Sequence, residues 1–101
     1  MIVYNVTTKV DNSIVAAWLQ WMQEVHIPAI LATGCFTDAR LLHLFESDDE
    51  EGITYAAQYH APSLEAYEQY LEKFAPDLRK ATMEKWGNKL IAFRSVMKVV
   101  H

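Results

Sequence analysis

CFTDARLLHLFESDDEEGITYAAQYHA, residues 35–61, carries two β-rich runs around an acidic centre. Cys35 to Glu46 and Ile53 to Ala61 are strand-like runs, and Ser47, Asp48, Asp49, Glu50, Glu51 and Gly52 between them form a polar turn. Two such runs joined by so short a polar segment pair as an antiparallel hairpin. Upstream, Gly34 suits a left-handed helix cap. Before it, Ile14, Ala17, Trp18, Trp21, Met22 and Val25 recur at helical spacing behind three candidate N-caps, Asp11, Asn12 and Ser13. Pro28 is expected to end or kink this helix near His26 and Ile27, because proline lacks a backbone donor and restricts its predecessor. A short further turn then runs through Ile30 and Leu31. Downstream, Ser63 is the expected N-cap of a second helix, with Glu65 in its first turn. Leu64, Tyr67, Leu71, Phe74, Leu78, Ala81 and Met83 or Trp86 make its apolar stripe, Pro76 predicts a kink, and Gly87 and Asn88 stop it. Segments 1–10 and 89–100 read as flanking strands. The order βαββαβ predicts an α+β, ferredoxin-like sandwich in which a four-stranded antiparallel sheet carries two helices on one face.

Alternation assigns Ile2, Tyr4, Val6, Ile53, Tyr55, Ala57 and Tyr59 to the helix-covered face, with Ile91, Phe93, Met97 and Val99 of the last strand. The opposite face then carries Val3, Asn5, Thr7, Ala56, Gln58, His60, Leu90, Ala92, Arg94 and Val96. Left wet, it presents an apolar patch that monomers usually avoid. The chain is therefore expected to pair with itself through the face bearing Val3, Ala92 and Val96, as a homodimeric α/β barrel.

A length of 101 residues, 51% of them hydrophobic and 22% charged, predicts a single domain, 1–101, with its own core. A net charge of −4 lacks the basic footprint of nucleic-acid binding. The third strand also departs from the RNA-recognition pattern: Glu51, Gly52, Ile53, Thr54, Tyr55 has an acid and an isoleucine where a base and an aromatic are needed. Without a long apolar run or a basic leader, the chain is expected to be cytoplasmic, with no membrane partner. A lone cysteine, Cys35, excludes an internal disulfide and a multi-cysteine metal site. His26, His43 and His60 lie on different elements without close local spacing, and the acidic turn lacks the alternating ligands of a calcium loop. No metal and no cofactor is expected.

Asn5, Gln58, His60 and Arg94 are four polar groups on one otherwise aliphatic face. They either satisfy one another across the dimer or converge on a small-molecule cavity. Arg94 is the sharpest candidate, because its guanidinium fork can hold a carboxylate in two hydrogen bonds. Set among Leu90, Ala92 and Val96 it needs an acceptor, for which Asp38 and Glu46 are the internal candidates and an anionic ligand the alternative. Trp18, Trp21 and Met22 have the spacing of an ordinary core stripe. His26 either ends the helix, where the dipole favours a cation, or lines a mouth between helix and sheet with Thr33 and the turn at Gly34. His26 and His60 are the candidate proton carriers for catalysis. Cys35 and Ser63 have no adjacent base in sequence, and no catalytic triad is readable.

The stretch WLQWMQEVHIP at 18–28, followed by Thr33, Gly34 and Phe36, resembles a short bacterial family described as a domain of unknown function, number 4286. The similarity runs almost end to end, through Thr54, Tyr55, Gln58 and Tyr59, then Tyr70 and Leu71, then Ala92, Phe93 and Arg94. The resemblance implies a dimeric α/β barrel of the ferredoxin-like type and leaves the activity unassigned. Three functions compete on this reading. One is a homodimeric domain binding a small, anionic molecule. Another is an enzyme similar to the cofactor-independent monooxygenases and related small catalysts built on this barrel. The third is a ligand-free interaction or assembly module, which a closed and filled interior would favour.

Overall fold

In the computed structural model, which describes residues 1–45 and 49–101, the alternating N-terminal segment is strand β1 (Ile2–Asp11). At its end the Asp11 carboxylate accepts hydrogen bonds from the Ser13 amide (2.9 Å) and hydroxyl (2.6 Å). These bonds hold the Asp11 carboxyl below its usual range and start the helical turns that follow.

Helix α1 (Val15–Trp21) passes into a π-helical segment at Met22–His26 and then into α2 (Ile27–Ala32). Of the two outcomes expected of Pro28, an end or a kink near His26 and Ile27, the end does not occur. The Ile27 amide reaches back five residues to the Met22 carbonyl, and this wider turn carries the chain past Pro28, which lies in the first turn of α2 where its missing donor is tolerated. His26 is thus interior to a continuous helix and not at a dipole end. Beyond α2 the Gly34 amide donates to the Leu31 carbonyl at 3.1 Å, and Gly34 has a φ of +79°, the expected left-handed cap.

Strand β2 (Asp38–His43) is shorter than expected, since Cys35 and Phe36 turn into the core before pairing begins. Glu46, Ser47 and Asp48, the expected strand end and half of the acidic turn, lie outside the described residues. Strand β3 (Gly52–Ala61) starts on a glycine whose added Cβ would lie 2.6 Å from the Val10 carbonyl oxygen. Only hydrogen allows the two backbones that approach. Helix α3 (Leu64–Lys73) is capped by the Ser63 hydroxyl, which accepts from the Ala66 amide at 3.2 Å. The kink expected from Pro76 is a full break at Phe74, after which α4 (Ala75–Trp86) begins with Pro76 in its first turn.

The last strand, β4 (Leu90–Lys98), completes an antiparallel sheet in the order β2-β3-β1-β4. The helices cover one face, over Ile2, Tyr4, Val10, Tyr55, Ala57, Tyr59 and Ala61, and together with Trp18, Met22, Ile30, Phe36, Tyr67 and Tyr70 these form the core. The architecture is the expected α+β, ferredoxin-like sandwich. The expected phase of β4 is corrected. Arg94 pairs with Val6, Val96 with Tyr4 and Ala92 with Thr8, so Leu90, Ala92, Arg94 and Val96 share the helix side of the sheet. Phe93 and Met97, opposite Thr7 and Val3, lie on the open face with Ile91. The apolar patch there is Val3, Ile91, Phe93 and Met97, not Val3, Ala92 and Val96.

Candidate functional site

The corrected phase puts Arg94 on the rim of a cavity of about 50 Å³ between sheet and helices. The sheet wall is Tyr4, Val6, Thr8, Ala57 and Tyr59. Trp18, Met22, His26 and Ile30 come from the first helical stretch, Tyr70 from α3, and Leu78, Arg79 and Thr82 from α4. The wider π turn contributes two of these, Met22 and His26, and such turns often mark functional positions.

Tyr4 is 2% exposed and is fixed by rings on every side. Its centroid lies 5.3 Å from Tyr67, 5.7 Å from Tyr70, 5.9 Å from Tyr59 and 6.1 Å from Phe36. Arg79 donates from Nη2 to the Tyr4 hydroxyl oxygen at 3.2 Å. Tyr59 and Tyr70 are as deeply buried as Tyr4. Among the described residues, no acceptor takes the hydroxyl proton of Tyr4, Tyr59 or Tyr70. Burial pushes the Tyr59 and Tyr70 phenols well above their ordinary range, and for Tyr70 the charges of Arg79 and Arg94 offset only part of that rise. Both therefore stay protonated as donors.

Arg79 and Arg94 are exposed at the cavity rim, so Arg94 is not desolvated as the sequence suggested. Among the described residues neither of these two guanidiniums has a carboxylate partner, whereas Asp38 lies by His60 and Glu84 by Lys80. Asp38 lies on the far edge strand from β4, and Glu46 is outside the described residues. His26 stacks on Trp21, with centroids 4.6 Å apart and planes 19° from parallel. Burial alone pushes its imidazole down to about 4, so it is neutral at physiological pH. His26 lines the same cavity as Arg79 and Arg94. The polar lining is two guanidiniums, the hydroxyls of Tyr4, Thr8, Tyr59, Tyr70 and Thr82 and one neutral imidazole, with no carboxylate, so its chemical complement is an anion.

The cavity brings together two of the expected site residues, His26 and Arg94. Asn5, Gln58 and His60 are on the open face. There the Gln58 amide donates to Asn5 Oδ1 at 3.3 Å, and the Asn5 amide donates to Thr7 Oγ1 at 2.9 Å. His60 Nδ1 lies 3.2 Å from Asp38 Oδ2 without the alignment of a hydrogen bond. Grouping these three with Arg94 was wrong by one residue of β4 phase. Thr33 is also elsewhere. Its hydroxyl donates to the Ile30 carbonyl (2.6 Å) and accepts from the Cys35 amide (3.3 Å), which makes it part of the helix cap. It faces a separate surface groove with Ala29, Ala32, Phe74 and Asp77. Trp18 and Met22 are core residues as read, and they also wall the cavity. His43 is exposed on β2, tilted against Tyr55 at 5.1 Å. Arg79, Tyr4, Tyr59 and Tyr70 were missed as site residues. The available signal was the number of phenols on core-facing positions, each of which needs an acceptor once buried.

Among the described residues no cluster of three or more His, Cys, Asp or Glu could hold a metal ion, and no helix is long and apolar enough to cross a membrane. No curated protein is significantly similar to this chain in sequence. Solved structures share its fold. One is an ethyl tert-butyl ether D (EthD) family protein from Bacillus halodurans C-125, 14% identical, with a TM-score of 0.68 over 99% of this chain and 100% of the other. Another is SnoaB, a cofactor-independent oxygenase from Streptomyces nogalater, 15% identical, with a TM-score of 0.68 over 99% and 94% of the two chains. A third, from Deinococcus radiodurans and grouped with antibiotic biosynthesis monooxygenases, is 15% identical, with a TM-score of 0.62 over 100% and 94%. At these identities the likeness establishes the fold alone. The sequence profile of one family matches residues 1–100, and the chain belongs to that family, the domain of unknown function DUF4286.

Proposed function

We propose that this domain binds a small anionic molecule in the cavity between sheet and helices. The observation that carries this reading is the imbalance of the lining: three buried phenols and two guanidiniums face it with no carboxylate partner among the described residues. A ligand or water in the cavity can supply the acceptors that these donors use. Arg94 takes the anionic group at the rim, Arg79 stays on the Tyr4 hydroxyl, and Trp18, Met22, Ile30 and Ala57 contact the apolar remainder. Asn5, Gln58 and His60 belong instead to a homodimer interface on the open face, around Val3, Ile91, Phe93 and Met97, three of which are large exposed hydrophobics. The setting remains the cytoplasm on this reading.

A thermal-shift screen of small carboxylates tests the binding. A true ligand at one hundred times its Kd adds about 2.7 kcal/mol of stability. A panel in which no carboxylate moves the melting temperature would contradict the reading. A cofactor-independent oxygenase or related small enzyme is the second reading, favoured by one observation, the neutral His26 on the cavity wall. A ligand-free assembly module is the least favoured, because the interior is not filled.

A further inference from the structure

The His26 imidazole on the cavity wall has no part in anion binding. By the rough allowance of 10–15 Å³ for each water-sized group, the 50 Å³ cavity takes roughly three to five such groups. The exposed guanidiniums lie at its rim, so a carboxylate held there need not enter. What enters is a short tail, and it meets two kinds of polar group. One is the Tyr4 hydroxyl, whose oxygen already accepts from Arg79 at 3.2 Å. Its own proton is therefore left to donate, and the flanking arginine makes it a stronger donor. The other is the His26 imidazole on the same cavity, held by its stack on Trp21 at 4.6 Å and delivered by the π turn. A donor cluster able to stabilise a developing oxyanion, with a neutral nitrogen base on the same small cavity, is the set of parts needed to move a proton from a carbon beside a carbonyl.

We infer that the site enolises short 2-oxo acids, with Arg94 holding the carboxylate, Tyr4 donating to the carbonyl oxygen and His26 accepting the proton. In the step, a C–H bond next to the carbonyl breaks and its proton passes to the free imidazole nitrogen. The electron pair becomes the C=C bond of the enolate, and the carbonyl π pair moves to the oxygen facing Tyr4. Reversal returns a proton from the imidazolium to the same carbon, so no oxidant, reductant or co-reactant enters. A weak base suffices where preorganised donors hold the enolate oxygen, and the bound carboxylate and developing enolate offset part of the lowering that burial imposes on His26. Arg79 is a positioning residue here, since it acts through the Tyr4 hydroxyl.

This inference rests on the anion-binding reading, and one experiment separates the two. Pyruvate is incubated with the purified protein in D₂O containing EDTA, methyl deuteration is followed by proton NMR, and pyruvate-induced thermal shifts are recorded in parallel. The wild type should exchange the methyl protons well above the buffer rate. His26→Gln and Tyr4→Phe should each lower the enzymatic rate by about a hundredfold while keeping a pyruvate-induced shift. Tyr4→Phe keeps the ring packing and so tests the step even if His26→Gln does not fold. Arg79→Gln should lower the exchange rate with little change in the pyruvate concentration giving half-maximal rate, a split that a loss of fold would not produce. A wild-type thermal shift with exchange no faster than buffer overturns the proton step and leaves anion binding standing. Exchange that survives undiminished in both His26→Gln and Tyr4→Phe also overturns it. Neither shift nor exchange in the wild type overturns both.

Discussion

Phe93→Ala weakens self-association if the open sheet face is the dimer interface. Phe93 is 69% exposed, beside Ile91 at 59% and Met97 at 43%, and all three lie on the face away from the helices. Fully burying a phenylalanine side chain contributes about 1.5–3 kcal/mol, so the exposed share still available to a partner is about 1–2 kcal/mol per protomer. A two-fold interface uses each residue twice, which gives about 2–4 kcal/mol, or about 30- to 700-fold in the dimer dissociation constant. Sedimentation equilibrium across micromolar concentrations measures that constant. Val96→Ala is the matched control, because Val96 lies across from Tyr4 on the helix side and should change the constant by less than about threefold. A wild type that sediments as a monomer, or a Phe93→Ala constant within threefold of wild type, would refute the reasoning. A large effect from Val96 and none from Phe93 would return the interface to the face first read from the sequence.

Gly34→Val should destabilise by about 1–2 kcal/mol, lowering the melting temperature by about 4–16 °C. No atom lies within 4 Å of an added Cβ at this position, so the whole cost is the positive φ, and calorimetry showing unchanged melting would mean that the cap is not left-handed. His26 makes stability depend on pH in a definite direction. Its folded pKa of about 4 lies below the ordinary 6.5, so above pH 6.5 both states are neutral there. Between pH 6.5 and about 4 the unfolded chain binds a proton that the folded chain refuses, and stability falls by at most about 3 kcal/mol. Urea denaturation at pH 7 and pH 5 should show a drop that His26→Gln reduces, and equal drops in both proteins would count against a buried neutral imidazole.

Much of the fold was legible because its signals were local. Ser63, Gly34, Gly87 and the acidic turn punctuate the chain by mechanisms that act within a few residues, and alternation over 1–10 and 53–61 pairs apolar with polar side chains. The phase of β4 was not legible, because LIAFRSVM at 90–97 is apolar in both registers: Leu90, Ala92 and Val96 compete with Ile91, Phe93 and Met97. Only the hydrogen-bond register chooses between them, and a slip of one residue moves every side chain to the other face. That slip carried Arg94 into the wrong company. The helix through Pro28 was misread for a related reason, since a π turn leaves no mark in residue spacing that distinguishes it from a helix end. Arg79 sits between Asp77 and Lys80 on a charged stretch and reads as a solvated face. Tyr4, Tyr59 and Tyr70 read as core, which they are, but their hydroxyls become a site only when β1, β3 and α3 bring them together.

Calorimetric titration of pyruvate into the wild type and Arg94→Lys at pH 7 tests most directly the claim that the cavity is an anion site. The account predicts saturable binding with one site per chain in the wild type. It predicts at least about tenfold weaker binding in Arg94→Lys, because an ammonium cannot reproduce the guanidinium fork, with an unchanged melting temperature in the absence of pyruvate. No binding by the wild type, or equal affinity in the lysine variant, would contradict it.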